Sequence, residues 1–215
     1  MPRSLAAPVR GRRLSYRQPG DIIIVECAVE IRETARNGAS SPNEAITMRP
    51  RAEAGMAHGF AIRPAGNADI AAIRAVLFSV RSEYGVLGEN GANDADLDDI
   101  ELHYFGRGGC FEVVEDAAKR VVGCAGLYPL NPCRAELCKM YIEKAARGRG
   151  LGKRLLEDLL GAARRGGFRE VWLETNSVLT AAIALYRHYG FEPVESDGLL
   201  PRCDAAYLLR IAPRP

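Results

Sequence analysis

The sequence lacks several features that would place it in a functional class at once. No apolar run approaches the ~20 residues that a membrane-spanning helix needs, and the first 20 residues lack the apolar block of a secretory signal. The 6 cysteines form no Cys-x-x-Cys pair, and the 3 histidines show no metal-ligand spacing. We therefore expect a soluble, cytoplasmic protein with free thiols, no metal and no membrane partner.

Neither sign of charge is in excess. The 29 Lys and Arg residues oppose 27 Asp and Glu residues, which gives a formal net charge of +2. This balance argues against a nucleic-acid partner, so any basic patch must be local. With 215 residues, 47% of them hydrophobic, the chain is long enough for a domain of about 150 residues and an extension.

The extension is predicted to be residues 1–57. Its start is rich in Arg and Pro with no acid before Asp21, which predicts a flexible basic segment. Ile22–Ile31 is apolar enough for a strand, and residues 37–42 have the composition of a linker. A transit-like segment and an over-assigned start codon are the open alternatives. The ordered domain is predicted at residues 58–213.

Hydrophobic periodicity predicts an α/β domain with a mixed sheet, that is, an α+β arrangement with both antiparallel and parallel strands. A strand at Phe60–Arg63, which Pro64 is predicted to stop, and two helices precede three consecutive strands, which form an antiparallel meander. A helix with an apolar stripe of Leu151, Leu155, Leu159 and Ala163 then leads to a parallel strand, as in a β-α-β crossover. A last helix, with its cap predicted at Asn176-Ser177, and two strands complete the domain. The strands predicted after the first two helices are Phe111–Glu115, Val121–Tyr128, Ala135–Ile142, Arg169–Thr175, Phe191–Val194 and Ala205–Ile211.

The stretch from Met140 to Arg154 carries the clearest chemical signal. A strand is followed by Gly148, Gly150 and Gly152 and then by an amphipathic helix. Glycines let a phosphate approach the backbone, and the N–H groups of a first helical turn have no partner within the helix. The stretch therefore predicts an anion cradle.

Two familiar phosphate motifs do not fit these glycines. The dinucleotide pattern Gly-x-Gly-x-x-Gly would need glycine where Lys153 stands. A P-loop would need Ser or Thr where Arg154 stands and glycine where Arg147 stands. The pattern that does fit is Arg-x-x-Gly-x-Gly.

With that motif the chain resembles the GNAT superfamily of N-acetyltransferases. The resemblance covers residues 60–211 and also rests on the strand before the motif, on Glu174-Thr175-Asn176, and on residues 184–191, which are similar to the family's Tyr-x-x-x-Gly-Phe element. It implies a three-layer fold in which two parallel strands splay apart around acetyl-CoA. The backbone of Met140, Tyr141 and Ile142 would hold the pantetheine arm, and Asn176 would contact it from the far side. The residues implied for the pyrophosphate are Arg147, Gly148, Arg149, Gly150, Leu151, Gly152 and Lys153.

The resemblance also implies a catalytic pair. Glu136 is the candidate general base, with a merely solvated strand carboxylate as the alternative, and Tyr186 is the candidate acid, with Tyr189 as the substitute. A backbone N–H near Tyr141 would meet the oxyanion.

The leading hypothesis is an enzyme that acetylates a primary amine of a small molecule or protein by direct attack in a ternary complex. A CoA-binding regulatory module and a domain that binds a phosphorylated partner are the alternatives. The acids from Asp94 to Glu101 either suit a helix start or present negative charge to a cationic acceptor. A homodimer is also possible.

Overall fold

A computed structural model describes residues 59–87, 94–196 and 198–212. The extension predicted for residues 1–57, with its strand at Ile22–Ile31, lies outside the described residues. Within them, no helix is long and apolar enough to cross a membrane.

The strands and helices of the described residues follow the predicted order. The strands are β1 (Ala61–Pro64), β2 (Cys110–Glu115), β3 (Val121–Pro129), β4 (Arg134–Ile142), β5 (Glu170–Thr175), β6 (Glu192–Val194) and β7 (Ala205–Arg210). The helices are α1 (Ile70–Glu83), α2 (Ile100–His103), α3 (Leu151–Arg165) and α4 (Thr180–His188). Short 3-10 turns occur at Asn67–Asp69, Ala95–Leu97, Phe105–Arg107 and Lys144–Ala146.

All of these strands join one mixed sheet in the order β1-β2-β3-β4-β5-β7-β6. Strands β1 to β4 form an antiparallel meander, α3 then crosses over, and β5 pairs in parallel with β4. β7 lies antiparallel between β5 and β6. The predicted mixed sheet with its parallel crossover is confirmed, and Pro193 lies on an edge strand, where its missing N–H breaks no ladder.

Helices cover both faces of the sheet, so the domain has three layers. One hydrophobic cluster joins the sheet to α3 and α4, and the other joins it to α1 and α2. The predicted stripe on α3, formed by Leu151, Leu155, Leu159 and Ala163, is wholly buried. Gly167 follows the helix with a φ of +79°, a conformation that glycine adopts without strain.

Two element boundaries differ from the sequence prediction. Pro64 is the last residue of β1 and does not stop the strand before it. The last helix begins at Thr180, whereas the sequence placed its cap at Asn176-Ser177. The reason is local, because Asn176 Oδ1 accepts the N–H of Val178 at 3.0 Å and so closes a separate turn before the helix.

Candidate functional site

The central strands β4 and β5 pair over only part of their length. Their parallel register ends where Glu136 faces Trp172. Beyond that point β4 stays paired with β3, and β5 stays paired with β7 as far as Thr175. The two strands therefore separate and leave a cleft, which is lined by β4, the end of β5, α4 and the β6–β7 connection.

A β-bulge lies on β4 beside this cleft. Tyr141 pairs with Cys124, and the two preceding residues, Lys139 and Met140, oppose a single residue of β3. Lys139 has a φ of +53°, and its carbonyl oxygen accepts the Cys124 thiol at 3.2 Å. The bulge shifts the alternation of side chains, so that Met140 packs with the α3 side of the sheet and Tyr141 with the α1 side.

The glycine turn before α3 exposes a row of backbone donors. Gly148 and Gly150 have φ values of +76° and +74°, and a Cβ at either position would have no atom within 4 Å. The N–H groups from Gly148 to Lys153 donate to no acceptor in residues 59–87, 94–196 and 198–212, and no side chain caps the helix. These donors and the helix dipole form a site for an anion such as a phosphate.

The Arg147 side chain connects this turn to α1. Its Nε donates to the Ile142 carbonyl at 2.8 Å, and its terminal nitrogens donate to both carboxylate oxygens of Glu83 at 2.9 and 2.8 Å. The hydrogen bond from Arg147 lowers the pKa of Glu83. The sequence predicted Arg147 as one of the pyrophosphate ligands, whereas in the structure its side chain holds the turn against α1.

Glu136 lies at the point where the strands separate. Its carboxyl group lines the cleft, and burial raises its pKa from 4.5 to about 7. The charges of Lys139 and Arg202 oppose this rise, whereas the nearby carboxylates of Glu174 and Asp96 add to it. Glu136 can therefore exchange a proton close to neutral pH.

The two candidate acids on α4 have different surroundings. Tyr186 is buried, lines the cleft, and has a raised pKa because of burial and the nearby Tyr141. Tyr189 instead donates its hydroxyl hydrogen to Glu157 Oε1 at 2.6 Å, on the outer side of α3. Of the two, only Tyr186 is placed to reach a molecule in the cleft.

Sequence comparison decides the family. The family model of the GNAT acetyltransferases, "Acetyltransferase (GNAT) family", matches residues 77–191, a span that includes the cleft strands, the glycine turn and α4. The chain belongs to the GNAT family.

Relatives and solved structures agree with this assignment. The chain is 39% identical over 132 residues to the uncharacterized N-acetyltransferase YjgM of Escherichia coli, across 59% of this chain and 78% of YjgM. Other curated relatives match over 45% of their own length. An acetyltransferase of the GNAT family from Staphylococcus aureus superposes with a TM-score of 0.66 at 22% identity, covering 70% of this chain and 98% of the other. The Salmonella typhimurium acetyltransferase yncA, solved with acetyl-CoA, gives 0.57 at 23% identity, covering 71% and 94%.

In this GNAT domain, Asn176 ties two walls of the cleft together. Its Nδ2 donates to the Arg202 carbonyl at 3.0 Å, and its Oδ1 accepts from Val178. Asn176 also lines the cleft. Asn176 thus has a structural role at the cleft, and its contact with the cofactor stays a prediction.

The acidic run before α2 is engaged within the protein. The carboxylate of Asp94 accepts two hydrogen bonds from Arg81, at 2.5 and 3.1 Å, and Asp96 pairs with Lys139 Nζ at 2.7 Å. Asp99 caps α2 by accepting the Leu102 N–H at 2.9 Å. Burial alone would raise the pKa of Asp94, but the hydrogen bond and charge of Arg81 lower it. Asp94 and Asp96 are therefore paired with cations of the domain itself, and Asp99 is explained as a helix cap.

Three charged residues of the cleft were not among the site residues predicted from the sequence. Lys139, Glu174 and Arg202 all line it, together with Glu136 and Tyr186. Glu174 was visible as part of the family motif, but neither the bulge that turns Lys139 nor the position of Arg202 has a sequence signal. Within the described part of the chain, no group of three or more His, Cys, Asp or Glu side chains is arranged to hold a metal ion.

Proposed function

We propose that this protein is an N-acetyltransferase that moves an acetyl group from acetyl-CoA to the primary amine of a small molecule or protein. The observation that carries the proposal is the separation of β4 and β5 after Glu136, which brings Glu136 and Tyr186 to the lining of one cleft. Membership of the GNAT family and the acetyl-CoA complex of the structural neighbour yncA support it.

The cofactor would lie along β4 and end at the glycine turn. The unpaired edge of β4 beyond Glu136, with Met140, Tyr141 and Ile142, offers backbone groups to the pantetheine arm. The N–H groups from Gly148 to Lys153 offer donors to the pyrophosphate, and Arg149 and Lys153 add exposed positive charge. Arg147 would act through its side-chain contacts with Glu83, which hold the turn in place.

Glu136 would act as the general base. An amine with a reference pKa near 10 arrives mostly as ammonium and must lose a proton before it attacks a carbonyl carbon. A carboxyl group with a pKa of about 7 is deprotonated over a useful fraction of molecules at neutral pH, and it is more basic than an ordinary glutamate. The amine nitrogen then forms the new C–N bond directly, with no covalent intermediate on the protein, and it loses a second proton to solvent as the C–S bond breaks.

Tyr186 would act as the general acid. Breaking the thioester bond leaves a sulfur that needs a proton, and a thiol has a reference pKa near 8.5. A phenol has a reference pKa near 10, and burial raises the pKa of Tyr186 further, so Tyr186 carries a proton at neutral pH that it can share with the departing sulfur. Glu136 would thus take a proton from the amine and Tyr186 would give one to the thiol, and proton exchange with solvent would return both side chains to their starting states.

A titration calorimetry experiment with CoA, followed by a thiol-release assay with acetyl-CoA and a panel of primary amines, tests this function. We expect CoA to bind and thiol release to depend on the amine. A protein that fails to bind CoA would be neither an acetyltransferase nor a CoA-binding regulatory module, and a phosphorylated partner would become the better candidate for the glycine turn. CoA binding without amine-dependent release would favour the regulatory module.

A further inference from the structure

The cleft contains more charge than the proposed acid and base account for. The charged side chains in its lining are Glu136, Lys139, Glu174 and Arg202. The Lys139 ammonium is already neutralised, because it lies 2.7 Å from Asp96 and 3.5 Å from Asp94. Two carboxylates and one guanidinium therefore remain to meet a substrate.

The two carboxylates lie on the same face of the sheet. Glu136 faces Trp172 in the parallel register, and Glu174 follows Trp172 by two positions on the same strand. One oxygen of Glu174, Oε2, accepts the Leu200 N–H at 3.0 Å. An amine near Glu136 would thus enter a region where a second carboxylate also favours positive charge.

Arg202 stands on a firmly held backbone, and its positive charge lowers the pKa of Glu136 and of Asp94 without a direct contact to either carboxylate. Its carbonyl accepts the Asn176 side chain at 3.0 Å, and two positions later Asp204 accepts both the N–H and the hydroxyl of Ser177, at 2.6 and 2.7 Å. In the part of the chain that the structure describes, the Arg202 guanidinium forms no ion pair or hydrogen bond. An arginine beside a cleft, with its guanidinium nitrogens not engaged in hydrogen bonds, can bind a carboxylate with two parallel hydrogen bonds.

We propose that the acceptor is an amino acid or an amino-acid-like compound, with its primary amine beside Glu136 and Glu174 and its carboxylate on Arg202. This inference rests on the proposed function and names its substrate class. A polyamine would bring a second positive charge towards Arg202 and leave the guanidinium unpaired, which costs binding energy on both counts. The acidic run that suggested a cationic acceptor does not oppose this, because Asp94 and Asp96 are paired internally.

Matched pairs of acceptors test the proposal. Thiol release is measured for amino acids and for the amines that remain after their carboxyl group is removed, such as phenylalanine with phenethylamine and lysine with cadaverine. We expect kcat/KM to favour the amino acid by about 10- to 100-fold, because a charge-assisted bidentate pair forms only there. Arg202→Met should remove most of this preference, mainly through KM, and Arg202→Lys should keep part of it.

Two controls separate recognition from folding. CoA affinity should be unchanged in both Arg202 variants. Arg169→Met removes an exposed arginine at the far end of β5 and should leave the preference intact. Glu174→Gln should weaken both members of each pair alike, because the amine is common to them.

The outcomes distinguish the inference from the function beneath it. Amine-dependent turnover with no preference for the carboxylate, or an Arg202→Met loss that is equal for both members, would overturn the inference and leave the acetyltransferase in place. A carboxylate preference on the acyl donor, with succinyl-CoA favoured over acetyl-CoA, would overturn it too and assign Arg202 to the acyl group. No CoA binding and no turnover would overturn the proposed function itself.

Discussion

Glu136→Gln should remove catalysis and at the same time stabilise the fold above neutral pH. The native protein holds this carboxyl group in a place that favours its neutral form, since burial raises its pKa from 4.5 to about 7. To act as a base, the carboxyl group must first lose its proton and become a carboxylate. Glutamine keeps the size of the side chain but can neither accept the proton nor become charged.

The size of the stability effect follows from the pKa. Below pH 4.5, the group is neutral in folded and unfolded chains, and its full contribution to stability is present. As the pH rises to about 7, the unfolded chain ionises first, and the contribution is lost progressively. At 1.36 kcal/mol per pH unit the complete loss is about 3 kcal/mol, and we expect about 1–3 kcal/mol because the cleft admits water to the carboxyl group.

Denaturant unfolding at pH 5 and pH 8 measures this effect. The variant and the wild type should be similar at pH 5, and the variant should be more stable at pH 8. In the thiol-release assay, kcat should fall by roughly 100- to 10,000-fold, and the rise of wild-type kcat/KM through pH 7 should disappear. A stability difference that is the same at both pH values would refute the buried, neutral carboxyl group. Unchanged turnover would remove Glu136 from the role of base.

Three further variants probe other parts of the site, each with a matched control. Tyr186→Phe should lower kcat at least tenfold with CoA affinity nearly unchanged. Tyr189→Phe, which loses only the surface hydrogen bond to Glu157, should keep wild-type kcat. Equal effects of the two variants would contradict the assignment of Tyr186 as the general acid. Gly150→Val and Gly167→Val both place a Cβ at positive φ in open space, at opposite ends of α3, so both should destabilise the fold. Only Gly150→Val should weaken CoA binding, by about tenfold in calorimetry. Asp94→Asn leaves Arg81 buried without its charge partner and should lower the free energy of unfolding by about 3–5 kcal/mol in denaturant unfolding. Asp98→Asn, at an exposed pair with Arg74, should lower it by at most about 1 kcal/mol. Similar losses would show that burial does not strengthen the first pair.

The fold was largely predictable because its elements carry strong local patterns. The stripe of α3, the apolar runs of β2 and β3, and the glycine turn each indicate one kind of element. Together with the crossover rule, they predict the central β4-α3-β5 unit. The family resemblance supplied the separation of the strands, which no periodicity shows. Boundaries were less certain where side chains compete with the backbone, as Asn176 does before α4.

The charged half of the site was not predictable for a different reason. Asp94 and Asp96 look like ordinary acids at a helix start, and their partners Arg81 and Lys139 are 13 residues or more away in the chain. Lys139 reaches Asp96 only because a bulge turns the strand, and a bulge depends on the pairing of β3 with β4. Interactions of this kind depend on tertiary register, and a single sequence does not contain them in any local form.

The separation of β4 and β5 is the feature on which the proposed chemistry depends. Glu136 shares its face of the sheet with the α1 side, whereas Tyr186 approaches from α4 on the opposite side. In a fully paired sheet, a layer of backbone would lie between a base on one face and an acid on the other. Because the pairing stops at Glu136, the two side chains line the same opening. An acceptor could then enter from the α1 side and the acyl donor from the α3 side, and their reacting atoms would meet within the sheet itself.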